Sequence, residues 1–210
     1  KENIIDKINE LKGLGVEVLV VSMAFGVDDM TEEVRVAKVA EEMGMPITIA
    51  SDITKLYGLT RRTKTAAINA SILPKMLDTS NSTEKSVRST GVDVPLDGGA
   101  MDISEMKKRP ILTMLSGPAA SVMGSLMYLR VSNGIYFEVG GTSTNIGVIK
   151  NGRPAIDYSI VDGHKTYVSS LDVQVLGVAG GSMIRVDSEK IIDVGPRSAH
   201  IAGMDYAVFT

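Results

Sequence analysis

Two hydrophobic periodicities alternate along the first fifty residues of the chain. Residues 3–15 carry apolar side chains at helical spacing and finish on glycines that suit a helix end, whereas residues 16–25 form a nearly continuous apolar run typical of a buried strand. The pattern then repeats, with a helix predicted over residues 28–44 and a strand over residues 45–51. Helix, strand, helix, strand in this order predicts a parallel sheet with helical crossovers.

Local signals predict where the helices of this half begin and break. Asp29, followed three residues later by Glu32, predicts an N-cap with an acid at the N3 position. Residues 59–77 have a helical pattern, in which Pro74 predicts a kink or a break. The stretch that ends at Gly91 is the most polar and turn-rich in the chain, so we predict a domain boundary near that glycine.

Short elements are predicted directly after this boundary. A strand is expected over residues 92–96, and a helix begins with Asp102 as its cap. The apolar residues 110–115 predict another strand. A helix follows, with Ser116 as its N-cap and small residues that would let it lie close to a neighbour.

The rest of the chain reads as strands joined by very short turns. The first three strands are predicted over residues 134–141, 144–152 and 153–160. The first turn passes through Gly140 and Gly141, and the second contains Asn151 and Gly152, a strong hairpin signal. A second glycine cluster at residues 177–182 precedes two more strands that turn near Ser188.

Composition excludes several classes of function. The 210 residues include no cysteine and two histidines, which excludes disulfides, thiolate zinc sites and thiol nucleophiles. A net charge of −3 does not indicate a basic surface that would bind nucleic acid. No apolar run reaches the ~18 residues of a membrane span. The first residues lack the apolar centre of a signal peptide, so we expect a cytoplasmic protein. Because the first residue is Lys1, we also expect a fragment of a longer protein.

Two familiar phosphate-binding loops are absent from the sequence. No Gly-Lys pair occurs, which excludes the G-x-x-x-x-G-K-[ST] loop, and no G-x-G-x-x-G follows a strand. The stretch Gly141–Asn145 resembles a nucleophile elbow, but Asn145 stands where an elbow needs its second glycine, which disfavours a serine hydrolase.

A glycine-bearing hairpin is the remaining way to bind phosphate. Such a hairpin needs a bare backbone that an anion can approach, hydroxyl donors that supplement the amides, and an acid that can hold Mg²⁺ or its waters. The sequence supplies all three with Glu138, Gly140, Gly141, Thr142, Ser143 and Thr144. A tight hairpin with a polar tip is the plain alternative. A second cluster could form a flat surface for a nucleotide base or ribose; it consists of Gly177, Gly180, Gly181 and Ser182.

Five linked motifs carry a resemblance to a known family. They read DGGAM, RPILTMLSGPAASVMG, FEVGGTSTNIGVIKNGRP, LDVQVLGVAGGSMIRVD and VGPRSA. Their order and spacing resemble the hydantoinase/oxoprolinase family, the A-type subunit of ATP-dependent cyclic-amide hydrolases. The resemblance implies an α/β fold of the actin and sugar-kinase ATPase type, which is ribonuclease H-like, with parallel and mixed sheets, β-hairpins and a partial second domain. It also implies that residues 1–91 end the family's N-terminal domain and that residues 92–210 begin the hydantoinase/oxoprolinase domain.

The resemblance further implies a function and its participants. The complete protein would open a small cyclic amide, of the hydantoin or 5-oxoproline type, by phosphoryl activation with ATP and Mg²⁺. Glu138, Asn145 and Asp172 would be the catalytic residues, Glu138 would also hold the metal, and the two glycine clusters would bind ATP. A B-type partner subunit and an oligomeric state are expected, while the fragment alone is expected to be inactive. The alternatives are a subunit of an ATP-dependent ketone carboxylase and a non-catalytic nucleotide-sensing or assembly protein.

The sequence departs from the family pattern at several of these positions. The family usually has Asp at the positions of Glu138 and Asn145, and a Gly-Ala-Gly-Gly-Gly run at residues 177–181. The family's first phosphate hairpin, an Asp-x-Gly-Gly-Thr, is not present in this sequence. The resemblance therefore places half of a phosphate clamp in this chain, and the departures favour the sensing alternative.

Overall fold

The structure is a computed structural model that describes residues 2–90 and 103–205. These residues form two compact units: a first unit from Lys1–Met114 with Tyr158–Val168, and a second unit from Leu115–Asp157 with Ser169–Thr210. The predicted boundary near Gly91, the strand over residues 92–96 and the cap at Asp102 lie outside the described residues. Both units combine helices and strands, so the chain is of mixed α/β type.

In the first unit, helices surround a short parallel sheet. Its elements are α1 (Glu2–Gly13), β1 (Leu19–Val21), α2 (Thr31–Glu42), β2 (Ile47–Ile49), α3 (Ala50–Ile53), α4 (Leu59–Ser89), α5 (Ile103–Lys108), a 3-10 helix (Pro110–Thr113), most of β6 (Ile156–Val161) and the first part of β7 (His164–Leu171). β1 and β2 run parallel, with Leu19 opposite Ile47, which confirms the predicted arrangement. Ile8 and Val39 from the two flanking helices are buried in the same core as Leu19.

The start of α2 differs from the prediction by one residue. The helix begins at Thr31, and Met30 in the flanking position makes no side-chain cap. The Asp29 carboxylate instead accepts a hydrogen bond from the Thr31 amide at 2.9 Å. The Thr31 hydroxyl, and after it this amide, lower the pKa of Asp29. Glu33 rather than Glu32 therefore takes the third helical position, and its side chain is fully buried.

The polar stretch before Gly91 was wrongly predicted to consist of turns. α4 continues without a break through Pro74 and ends only at Ser89. Its hydroxyl side chains bond to the preceding helical turn, with Thr79 donating to the Lys75 carbonyl and Ser80 to the Met76 carbonyl. These local bonds allow a polar sequence to remain helical.

One ion pair attaches this polar part of α4 to α5, and a second lies within α4 itself. Glu84 accepts hydrogen bonds from Lys107 on α5 at 2.7 Å and from Arg88 one turn later at 2.9 Å. These contacts, that of Lys107 first, lower the pKa of Glu84.

The apolar residues 110–115 were wrongly predicted to form a strand. Residues Pro110–Thr113 form a 3-10 helix, and the fully buried Ile111 packs beside Ile53 and Val168. The Asn69 side chain on α4 accepts a hydrogen bond from the Ile111 amide at 3.1 Å. A buried apolar run of this length fits a strand or a helical turn equally well, and this contact with α4 favours the turn.

Arg61 of α4 contacts the strands β6 and β7. Its guanidinium lies 4.5 Å from the Tyr158 ring centre and 4.2 Å from that of Tyr167, and it donates to the Thr166 carbonyl. A planar cation between two aromatic faces is a favourable arrangement. The β6–β7 hairpin therefore belongs to this unit although it comes late in the sequence.

In the second unit, one helix packs on a sheet of β-hairpins. Its elements are α6 (Ser116–Leu129), β3 (Gly134–Val139), β4 (Thr144–Lys150), β5 (Arg153–Pro154), β8 (Val173–Leu176), β9 (Ser182–Asp187) and β10 (Lys190–Ser198). β4 pairs antiparallel with β3, β5 and β8, and β9 pairs with β10. Val122 and Leu126 of α6 pack against Ile149 of β4.

The predicted turns of this unit are confirmed, while the cap of its helix is not. Asn151 and Gly152 have φ values of 52° and 71°, as a two-residue hairpin turn requires, and Ser188 turns the last hairpin with φ 50°. Ser116 is the first helical residue rather than the N-cap, because Leu115 in the left-handed region precedes the helix. Among the described helices, none has the length and apolar character that crossing a bilayer would require.

Candidate functional site

The glycine hairpin predicted from the sequence is the turn between β3 and β4. Glu138 pairs with Asn145 and Val139 with Thr144, so the turn comprises residues 140–143. The Gly140 amide donates to the Ser143 carbonyl at 3.0 Å and closes the turn. This amide is therefore committed within the protein.

The tip of the turn keeps its other donors available. Within the described part of the chain, no acceptor pairs with the amides of Gly141, Thr142 and Ser143 or with the hydroxyls of Thr142 and Ser143. A Cβ added at Gly141 would meet no atom within 4 Å. Three successive amides with two hydroxyls and open space in front form a suitable place for an anion.

The second glycine cluster is hydrogen-bonded directly to this turn. The Gly180 amide donates to the Gly140 carbonyl at 3.1 Å, and the Gly181 amide donates to the Gly141 carbonyl at 2.8 Å. The Thr144 hydroxyl donates to the Val178 carbonyl at 2.6 Å. The donors of Thr144, Gly180 and Gly181 thus hold the two loops together rather than facing a ligand.

The remaining residues of the second cluster also have structural partners. Ser182 begins β9, and its hydroxyl accepts a hydrogen bond from the Ala179 amide at 2.8 Å. A Cβ added at Gly177 would lie 2.9 Å from the Pro196 side chain, so glycine is required there by close packing. The cluster therefore has few hydrogen bonds to offer a ligand, and its use as a surface for a base or ribose stays a prediction.

A carboxylate with two bonded neighbours lies just below the turn. The half-buried Glu138 accepts hydrogen bonds from the Asn145 amide at 3.0 Å and from the Ser121 hydroxyl of α6 at 2.9 Å. The structure thereby brings together two of the three predicted catalytic residues. Asn145 acts as a donor to Glu138, a role that a second carboxylate could not fill without being protonated.

Asp172, the third predicted catalytic residue, lies between β7 and β8. Its backbone amide donates to the Ala155 carbonyl at 2.9 Å, and its side chain is exposed. No protein donor among the described residues pairs with this carboxylate. Its negative charge contributes to raising the pKa of Tyr136, a residue that was not predicted to belong to the site.

Tyr136 crosses from β3 over a glycine on β4. It pairs with Gly147, and a Cβ added there would clash with the ring carbon that carries the Tyr136 hydroxyl. The hydroxyl oxygen is buried without a hydrogen-bond partner among the described residues. Burial, and after it the charges of Glu138 and Asp172, raise the pKa of this hydroxyl. Because Glu138 pairs with Asn145, the residues two positions further from the turn on each strand, Tyr136 and Gly147, also pair. This pair of a large and a small side chain could therefore have been predicted from the sequence.

We expect Gly147→Ala to destabilise the second unit by roughly 1–3 kcal/mol, because the new methyl group takes the place of the Tyr136 ring. Urea denaturation of the variant measures the loss. The matched control is Gly134→Ala on β3, where an added Cβ meets no atom within 4 Å. In a Tyr136→Ala background the glycine substitution should add no further loss, and an undiminished loss there would show that another contact causes it.

Comparison with known proteins connects this site to a family. The model of the hydantoinase/oxoprolinase family, in its A form, matches residues 62–208, which is well over half of the chain. The chain belongs to the hydantoinase/oxoprolinase family. The match includes α4 from Arg62 onwards and the complete hairpin site of this hydantoinase/oxoprolinase member, and it confirms the recognition made from the five motifs.

Two curated proteins show the extent of the likeness. The chain is 29% identical over 147 residues to the caprolactamase subunit alpha of Pseudomonas jessenii, covering 66% of this chain and 21% of that protein. It is 27% identical over 209 residues to an uncharacterised protein of Schizosaccharomyces pombe, covering 95% of this chain and 16% of that protein. The hydantoinase/oxoprolinase chain described here thus spans about a fifth of the length of these relatives or less.

Two solved structures resemble the chain over nearly its whole length. The crystal structure of the ATP-dependent caprolactamase from Pseudomonas jessenii matches with a TM-score of 0.70 and 25% identity, over 93% of this chain and 30% of that one. A nucleotide-free acetone carboxylase, from work on ATP-dependent acetone carboxylation, matches with a TM-score of 0.65 over 94% of this chain and 30% of that one. At 20% identity this second likeness shows the fold alone.

Proposed function

We propose that this chain supplies the phosphate-binding hairpin of an ATPase with the actin and sugar-kinase type of fold. The observation that carries the proposal is the set of amides at Gly141, Thr142 and Ser143, which have no acceptor among the described residues and lie in the turn after the strand that carries Glu138. Support comes from a relative that is named an ATP-dependent caprolactamase. In the complete protein, ATP would then be the phosphoryl donor.

The hairpin would act on the phosphate groups through electrostatics. Charge on a transferring phosphoryl group spreads over its oxygens, and fixed N–H and O–H donors stabilise that charge without having to reorient. Gly141 lets the backbone approach those oxygens, since no side chain occupies the space in front of it. Thr142 and Ser143 add two hydroxyl donors to these amides.

The residues present also fit the Mg²⁺ that accompanies ATP. Each oxygen of Glu138 accepts one hydrogen bond, which leaves lone pairs for a metal ion or its waters. Mg²⁺ keeps several waters and is commonly held by one or two carboxylates together with phosphate oxygens. When bound, the metal would neutralise charge on the phosphates.

The reaction we propose for the complete protein is the opening of a small cyclic amide. The terminal phosphoryl group of ATP passes to the carbonyl oxygen of the amide and leaves ADP, which makes the carbonyl carbon more electrophilic. Water then adds to that carbon, and the carbon–nitrogen bond breaks with the nitrogen leaving as an amine, which leaves an acyl phosphate. A second water hydrolyses this acyl phosphate to a carboxylate and inorganic phosphate. The name caprolactamase subunit alpha supports this substrate class and also implies a second subunit in that protein, so we propose a partner subunit here as well.

ATP consumption by the full-length protein tests this function. We expect Mg²⁺-dependent ADP release in the presence of lactams or hydantoins, with one ring opened for each ATP consumed and no need for bicarbonate. Consumption that requires both a ketone and bicarbonate would instead indicate a carboxylase. Tight ATP binding without hydrolysis across the same substrates would indicate nucleotide sensing.

A further inference from the structure

The sheet around β4 has two faces, and α6 covers one of them. Tyr136 on β3 and Ile149 on β4 pack in one cluster with α6, and Glu138 accepts a hydrogen bond from Ser121 of that helix. Successive side chains of a strand point to opposite faces of a sheet. The residues between these positions therefore lie on the other side of the sheet, which we call the outer face.

The outer face is apolar across three paired strands. Phe137 of β3 lies opposite Ile146 of β4, which lies opposite Gln174 of β8, and the rows on either side continue the same face. Apart from Gln174 and Thr144, the residues of this face are apolar. They are Ile135, Phe137, Val139, Ile146, Val148 and Leu176.

The apolar side chains of β3 on this face are open to solvent in the structure. Ile135, Phe137 and Val139 are 65%, 65% and 66% exposed. Single exposed apolar side chains are ordinary, but a contiguous patch marks a surface that binds another element. A sheet with one face in water normally has polar residues on that face, whereas a sheet covered on both sides is apolar on both. The outer face thus has the composition of a face that is covered.

The length of related proteins indicates what covers it. The chain spans 30% of the solved caprolactamase and 21% of the curated caprolactamase subunit, so most residues of these relatives belong to other segments. A segment of the same polypeptide meets its binding surface at an effective concentration of about millimolar, which a second molecule in dilute solution does not reach. The same polypeptide is therefore favoured over a second copy or a separate partner.

We propose that the outer face binds an amphipathic helix from a part of the full-length polypeptide outside these 210 residues. A helix fits because α6 already covers the first face, and sheets of mixed α/β proteins commonly lie between two helical layers. Its apolar side chains, at the spacing i, i+3, i+4 and i+7, pack around Phe137. Val139 directly precedes Gly140, so the helix also supports the glycine turn from behind. This inference goes beyond the proposed function and does not depend on ATP binding.

Thiol labelling of the full-length protein tests whether the face is covered. Residues 1–210 contain no cysteine, so Val139→Cys and Val148→Cys each place one thiol on the outer face with a small change in side-chain size. Glu189→Cys, in the exposed turn between β9 and β10, is the matched control. We expect the outer-face thiols to react with a maleimide roughly 100-fold more slowly than the control, because the helix must open first. In urea all three should react equally, and mass spectrometry of the labelled peptides separates them from any other thiol.

Photochemical cross-linking identifies the cover. In the full-length protein, Phe137→benzoylphenylalanine should cross-link to a peptide of the same polypeptide outside residues 1–210, and the slow labelling should persist on dilution. Labelling of both outer-face thiols at the rate of the control would overturn the inference. Slow labelling that is lost on dilution would indicate a second copy, and slow labelling that requires a partner subunit would indicate that subunit; either result would overturn it, as would a cross-link within residues 1–210. No nucleotide is added, so these outcomes are independent of the proposed ATPase function.

Discussion

Gly141→Val abolishes ATP turnover in the full-length protein while leaving it folded, if the hairpin between β3 and β4 binds phosphate. The space in front of Gly141 is open, and its φ is not in the left-handed region that would make valine strained. The free protein therefore tolerates the side chain. The same side chain would stand where phosphate oxygens must approach the amides of residues 141–143, and loss of even one such donor typically costs about 100-fold or more in rate.

The variant needs a control with the same change at a harmless position. Gly134→Val at the start of β3 meets this need, because an added Cβ there also meets no atom within 4 Å and the residue lies at the opposite end of the hairpin. Circular dichroism melts verify that both variants are folded, and ADP release measures turnover. Turnover of Gly141→Val equal to that of the control would refute the phosphate assignment.

The part of the site near the turn could be predicted from the sequence because its geometry is local. Two glycines between a β-branched run and an alternating run determine where the hairpin turns, and the turn determines that Glu138 faces Asn145. The same counting extends to Tyr136 and Gly147, whose large and small side chains are complementary.

Contacts between distant segments could not be predicted in this way. Ser121 reaches Glu138 from α6, and its selection depends on how that helix lies against the sheet. The bonds from Gly180 and Gly181 to the turn likewise join segments about forty residues apart in sequence. A glycine-rich segment indicates a backbone that approaches something closely, and here that partner is another loop of the same protein.

The secondary structure was predicted wrongly where side chains form hydrogen bonds to the backbone. Serine and threonine favour turns in general, yet Thr79 and Ser80 donate to carbonyls four residues earlier and stay within α4. The hydrophobic pattern of the apolar run from Pro110 fits a strand and a helical turn equally well. The hydrogen bond from the Ile111 amide to Asn69, which is distant in sequence, favours the helical turn.

Glu33→Ala should cause the largest loss of stability among single substitutions in the first unit, about 3–5 kcal/mol. The Glu33 side chain is 0% exposed, and its two oxygens accept hydrogen bonds from the Met23 amide at 2.7 Å and the Ser51 amide at 3.1 Å. These amides belong to the segments that follow β1 and β2, so one carboxylate holds together the chain at the carboxyl ends of both parallel strands. Alanine would leave two buried donors unsatisfied and an empty space beside them.

Two further substitutions test whether the loss of stability in Glu33→Ala comes from the carboxylate. Arg62, which is 1% exposed, donates to the Met23 carbonyl at 2.5 Å, so Met23 is held through both its N–H and its C=O. Glu33→Gln keeps the volume but turns a donor towards one of the two amides, and we expect a smaller loss of about 1–3 kcal/mol. Glu32 is exposed and forms an ion pair with Arg35 at 3.3 Å, so Glu32→Ala should change the free energy of unfolding by less than about 0.5 kcal/mol. Urea denaturation followed by circular dichroism gives all three values, and equal losses for Glu32→Ala and Glu33→Ala would show that the buried carboxylate does not organise the two loops.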